Sequence, residues 1–215
     1  MRPARSRARA LVLPALLAAL LSASAWVALP VGPVPVTLQT FIVAVVVLVC
    51  TPVQAAVAIG VYLLLGAVGV PVFSGAQGGV AALVGPTGGY LVGFWLAGVT
   101  GSSVRAVLTP RSSSAPGATS PAPPAADADA AWRVGPAFAD AVALAVAFLA
   151  IYAPGTAWLA LSTGRTLVEA ALVGVVPFVV PDAAKAVAAV SVAVALRRAG
   201  FAANVGASGG RSGQA

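Results

Sequence analysis

The chain has 215 residues, of which 60% are apolar and only 8% charged, with 12 Lys and Arg against 5 Asp and Glu. Soluble domains carry roughly a quarter charged residues, so a globule this short could not cover itself, and the mean hydropathy of +1.01 points to an integral membrane protein. The absence of His and the single Cys50 exclude a zinc cluster, a His-ligated haem, a disulfide framework and a His-dependent triad, and the basic residues behind the net charge of +7 are too dispersed for nucleic acid.

A membrane-spanning helix needs about 20 apolar residues. After a basic segment, 1–9, the first span is expected from Ala10 to Leu29. The tripeptide Ala23-Ser24-Ala25 resembles a signal-peptidase site, but the apolar run continues through Trp26 to Leu29, which argues for a retained helix. The second span covers Leu38 to Cys50, the third Pro52 to Gly69 and the fourth Gly88 to Leu108, with a Gly-rich loop over 70–89. The segment from Thr109 to Ala130, extending to Arg133, is rich in Pro, Ser and Ala and reads as a solvated linker. Val134 to Tyr152 is the fifth span and Asp182 to Leu196 the sixth. Between them, Ala157 to Val180 is broken by Gly164, Arg165, Gly174 and Pro177 and reads as an outer loop with short helical segments; 200–215 is a tail.

Six spans place both termini on one side. Ten of the eleven arginines then share that side with the linker: Arg2, Arg5, Arg7, Arg9, Arg105, Arg111, Arg133, Arg197, Arg198 and Arg211. Only Arg165 lies opposite, so the positive-inside rule makes the shared side cytoplasmic.

Polar residues in spans are costly, so their positions carry information. Gln39, Tyr90 and Asp182 each open a span at the outer end, and Lys185, the one lysine, follows Asp182 by three residues on the same helix face. An interfacial or self-neutralising role is the competing reading for each. The runs Gly75–Gly79 and Gly85–Gly89 are too rich in glycine for stable helix, and their backbone must be buried in protein or line a cavity. Neither run ends in Gly-Lys-Ser/Thr, so neither is a nucleotide loop. On span one, Ala15, Ala19 and Ala23 recur every four residues, a small-residue stripe that permits close helix approach.

Several stretches resemble the BioY proteins, the substrate-binding S components of energy-coupling-factor (ECF) biotin transporters. They are PVPVTLQTF (33–41), YLLLGAVGVPVFSG (62–75), GGVAALVGPTGGYLVGF (78–94), WLALSTG (158–164) and VPFVVPDAAKA (176–186), in family order. The resemblance implies an all-α membrane protein of six transmembrane helices with an outward-facing ligand cavity. It implies biotin as the ligand, no cofactor, and an ECF transmembrane coupling protein with an ATPase pair as partners. It carries substrate contact onto Asp182 and Lys185, and a site-lining role onto Gln39, Thr87 and Tyr90. It also turns the stripe of Ala15, Ala19 and Ala23 into a partner-docking surface. Pro181 stands where the family often has Gly, which can shift the start of span six.

Biotin's ureido ring offers two N–H donors and a carbonyl. Asp182 suits the donors, and Gln39 and Tyr90 suit the carbonyl and what remains. Phe73, Trp158 and Tyr90 are expected to pack the rings, while Lys185, Thr87 and glycine amides are alternatives for the carboxylate. Two other readings compete. An S component or solitary transporter for another vitamin would differ at Gln39, Tyr90 and Asp182. An intramembrane enzyme would need a nucleophile and base at depth, yet Ser191 is off the Lys185 face and no His exists.

Overall fold

The computed structural model describes residues 3–30, 34–109 and 135–199. The linker with Arg111 and Arg133, the tail with Arg211, and the side chains of Arg2, Arg5, Arg7 and Arg9 lie outside the described residues. The described chain is mostly helical: α1 (Pro3–Ser24), α2 (Gln39–Val49), α3 (Pro52–Ala67), α4 (Val80–Val84), α5 (Gly88–Leu108), α6 (Pro136–Thr163), α7 (Leu167–Gly174) and α8 (Val176–Arg198). Two short strands, β1 (Ala28–Leu29) and β2 (Val36–Thr37), pair antiparallel. Three helices, α5, α6 and α8, are long and apolar enough to cross a membrane; α2, α3 and the stretch of α1 from Leu11 are shorter apolar helices.

Helix α2 sits at the centre. Val43 through Leu48 are all buried, so this helix is apolar all round, as a core helix is. Helix α8 leans on it, while α6 packs chiefly on α5. Gly89, Gly93, Ala97 and Gly101 recur every four residues on α5. A Cβ on Gly93 would sit 2.8 Å from Ile151 Cα, and one on Gly101 3.0 Å from the Ala143 carbonyl of α6. Without a water-driven hydrophobic effect between helices, such close backbone contact supplies the packing. Thr51 caps α3 reciprocally with Gln54, and Thr166 caps α7 with Glu169. The backbone N–H and hydroxyl of Thr166 hold the exposed Glu169 carboxyl below the ordinary range.

Several boundaries differ from the sequence reading. The first helix begins at Pro3, inside the basic segment, because proline at a first helical position has its φ preset. It stops at Ser24 rather than Leu29: tight turns from Ala25 and Trp26 to the Ser22 and Ala23 carbonyls lead into β1. The fifth span continues past Tyr152 through Pro154 to Thr163, where left-handed Gly164 ends it. Residues 157–163, placed in an outer loop above, are therefore helix. The last helix starts at Val176, not Asp182, with Pro177 in its first turn and Pro181 tolerated inside. Gly88 and Gly89 open α5 as helix, whereas Gly75, Ala76 and Gly79 keep positive φ in a non-helical turn.

Candidate ligand-binding site

At one end of the bundle, a cavity of about 210 Å³ is lined by residues from six separate segments. All five residues singled out for substrate contact meet there: Gln39, Thr87, Tyr90, Asp182 and Lys185. Gln39 opens α2, Thr87 stands immediately before α5 and Tyr90 is the third residue of α5. Asp182, by contrast, lies well inside α8. Its buried neighbours Phe178, Ala189 and Ala193 form one stripe with it, so the stripe that packs on the core carries the carboxylate inward.

That carboxylate is held by three protein donors. Thr40 Oγ1 donates to Oδ1 at 2.8 Å, Lys185 Nζ donates to Oδ1 at 2.7 Å, and the Tyr152 hydroxyl donates to Oδ2 at 2.6 Å. Lys185 also donates to Thr40 Oγ1 at 3.0 Å. A carboxylate offers about four acceptor sites, so one lone pair on Oδ2 remains. The expected i, i+3 proximity of Asp182 and Lys185 is an ion pair whose side chains are 4% and 12% exposed.

Gln39 is equally constrained. Thr37 Oγ1 donates to its Oε1 at 3.0 Å, and its Nε2 donates a short hydrogen bond to the Tyr62 hydroxyl. One Nε2 hydrogen has no partner among the described residues. Tyr62 meets Phe73 edge-on at 5.5 Å between ring centroids, and a Cβ on Gly66 would occupy the Phe73 ring. Tyr90 donates to the Gly174 carbonyl at 3.0 Å, with Gly155 and Gly174 leaving room for the phenol. Phe73 and Tyr90 line the cavity as expected, joined by Leu91, Phe94 and Phe178. Trp158 does not: its Nε1 donates to the Gly85 carbonyl at 2.8 Å and its ring covers Gly89. The indole thus ties the glycine loop to α6.

Residues missed in the sequence are Thr40, Tyr62, Tyr152 and Ser74. Ser74 Oγ is buried on the cavity loop with no hydrogen-bond partner among the described residues. Thr40 sits beside Gln39, so its neighbour was a signal; Tyr152 and Tyr62 act from other helices and gave none. Ser191 donates to the Val187 carbonyl at 3.1 Å and is exposed, which removes it as a buried nucleophile. Among the described residues no group of His, Cys, Asp or Glu is placed to hold a metal ion. Ala15, Ala19 and Ala23 are not at the cavity; all three are exposed on one face of α1, whose opposite face buries Leu17, Ala18 and Leu21.

The sequence matches the BioY family over residues 1–201. It is 34% identical over 195 residues to the probable biotin transporter BioY of Pyrococcus horikoshii, covering 89% of this chain and 98% of that protein. It is 47% identical over 88 residues to the biotin transporter BioY of Thermotoga maritima, covering 41% and 52%. The crystal structure of the S-component for biotin from an ECF-type ABC transporter has the same fold, with a TM-score of 0.73 at 20% identity over 92% of this chain and 95% of that one. A match across nearly the full length of both sequence and fold means that the chain belongs to the BioY family.

Proposed function

We propose that this protein is the biotin-binding S component of an ECF-type transporter and not an enzyme. The observation that carries the reading is the set of hydrogen-bonding positions left open in one cavity. These are one Asp182 Oδ2 lone pair, one Gln39 Nε2 hydrogen and the Ser74 hydroxyl, facing an apolar wall of Phe73, Leu91, Phe94 and Phe178. A ureido ring brings two N–H donors and a carbonyl. Asp182 Oδ2 accepts one N–H, Ser74 Oγ the other, and Gln39 Nε2 answers the carbonyl. The fused rings take the aromatic wall, and the valerate extends towards Thr87, with the Lys185 ammonium as the local positive charge. A ligand without ureido donors would leave the Ser74 hydroxyl unpaired, costing about 1–3 kcal/mol, and would forgo the charge-assisted bond to Asp182 Oδ2.

Six membrane spans, α1, α2, α3, α5, α6 and α8, with the cavity facing outward follow from the arginine distribution. Both termini and the linker are then cytoplasmic in the cell membrane. Without a nucleotide loop, concentrative uptake draws on an ECF coupling protein with its ATPase pair, docked on Ala15, Ala19 and Ala23. The exposure of that stripe supports the docking role over internal packing. Radiolabelled biotin added to the purified chain, without other subunits, tests the ligand. Saturable binding displaced by unlabelled biotin but not by thiamine or riboflavin is expected, and displacement by another vitamin alone would overturn the assignment.

A further inference from the structure

Helices α6 and α8 line one groove and are joined by side-chain hydrogen bonds at two separated points. At the cavity end the Tyr152 hydroxyl bonds Asp182 at 2.6 Å. At the other end Asp140, 1% exposed, is held by Arg105 at 2.8 Å and by Arg197 Nη2 at 2.7 Å. Between these two polar fastenings lies an open apolar groove of about 560 Å³. Leu144, Ala145 and Phe148 of α6 form one wall, and Ala183, Val187 and Val190 of α8 the other. It runs from Ala141 to Tyr152, a length of about 16 Å at 1.5 Å per residue. That is close to one leaflet of hydrocarbon, about 15 Å.

Its basic end has a chemistry of its own. Arg197 lies on the face of α8 that continues Val187 and Val190 at helical spacing. Its Nη2 is spent on Asp140, yet its buried Nε has no hydrogen-bond partner among the described residues. Arg198 is exposed at the same helix end. Among the described residues Arg105 and Arg197 both pair with Asp140 and Arg198 stands exposed next in sequence, so this end carries net positive charge. We propose that this groove binds an anionic phospholipid, with one acyl chain between α6 and α8 and the phosphate at Arg197 and Arg198. The phosphate pairs with the guanidinium surface still exposed on Arg197, 25% accessible, and on Arg198, and charge-assisted bonds to Arg are the strong ones. Basic sites between transmembrane helices recognise anionic headgroups in this way. The Tyr152–Asp182 bond closes the groove against the ligand cavity, so the chain stops short of it. This site does not depend on which vitamin the cavity takes.

The test is native mass spectrometry of the full chain released from nanodiscs of equal phosphatidylglycerol and phosphatidylcholine. The expected result is one retained phosphatidylglycerol, favoured about fivefold or more over phosphatidylcholine, the discrimination a single nearby arginine provides. Val187→Trp, at an exposed groove position, should abolish retention of either lipid, and Ala145→Leu from the opposite wall should do the same. Arg198→Gln should keep a lipid but lose the preference. Equal retention of the two lipids by the native protein overturns the proposal. So does undiminished retention in both groove-filling variants. Loss of a co-purifying membrane protein with lipid retention intact would make the groove a helix-docking surface and overturn it as well.

Discussion

Replacing Asp182 by Asn and Lys185 by Met, singly and together, separates what this pair does for the fold from what it does for the ligand. Asp182→Asn leaves the Lys185 ammonium, 12% exposed, without a counter-charge, beside only a neutral amide oxygen and the Thr40 hydroxyl. Removing one partner of a buried pair costs about 3–5 kcal/mol. Lys185→Met leaves the carboxylate with two hydroxyl donors, Thr40 and Tyr152, so its cost falls at the low end of that range. The double variant has no stranded charge and should recover about 2 kcal/mol relative to the sum of the singles. With a shift of about 2–4 °C per kcal/mol for a chain of this length, each single variant should lose roughly 6–20 °C of Tm. Tryptophan fluorescence during heating in one detergent measures this, with labelled-biotin binding in parallel. Stability should partly return in the double variant, and binding should not, because the Oδ2 acceptor and the ammonium are both gone. Strict additivity of the Tm losses would refute the ion pair, and biotin binding by the double variant at native affinity would refute its place in the ligand site.

Cysteine introduced at Gln77, exposed on the cavity loop, should react with an impermeant maleimide added outside intact cells, and one at Ser113 should not; the native Cys50 is buried and gives little background. The reverse pattern would invert the topology. Ala19→Trp adds bulk to an exposed position on α1, so biotin binding should stay within about twofold while co-purification with the coupling protein and ATP-driven uptake are lost, as expected where close approach is the contact. Gly93→Leu forces a side chain against the Ile151 backbone and should lower stability by about 1–3 kcal/mol, read as a fall in Tm; an unchanged Tm would mean that α5 and α6 are less tightly packed than described.

Hydropathy made the long helices legible, but not their ends. The sequence reading ended the fifth span at Tyr152, short of Pro154 and Gly155. In α6 they are interior, because Gly155 accommodates the Tyr90 ring and a proline in an apolar bundle finds its freed backbone sheltered by neighbouring helices. Gly88 and Gly89 looked non-helical for a similar reason: their intrinsic cost was visible, while the Trp158 packing that offsets it lies some 70 residues away in sequence. Asp182 and Lys185 were legible because their relation is local, three residues on one helix. Asp140 carried a signal that was passed over, a lone acid in an apolar run, though its partners Arg105 and Arg197 stand 35 and 57 residues from it. Tyr152 gave no signal at all, since an aromatic residue in an apolar helix is unremarkable until Asp182 faces it.

The placement of Asp182 joins two tasks that a sequence pattern keeps apart. Helix α8 buries only Phe178, Asp182, Ala189 and Ala193 along a narrow stripe against α2, and reaches α6 through Tyr152–Asp182 and Asp140–Arg197. Packing between α6 and α8 is replaced by hydrogen bonds at fixed points, and one of these points lines the cavity. Any ligand that takes the remaining Oδ2 lone pair shares that oxygen with Tyr152, so occupancy and the fastening of α8 to α6 are coupled through a single atom. A ligand shifts a conformational equilibrium only by its differential interaction with the two states. Here that difference has an identified location, because an α8 drawn away from Tyr152 would leave the carboxylate short of a donor that a ureido N–H can replace. The opposite fastening at Asp140 is buried and none of its residues lines the cavity, so a bound ligand does not touch it.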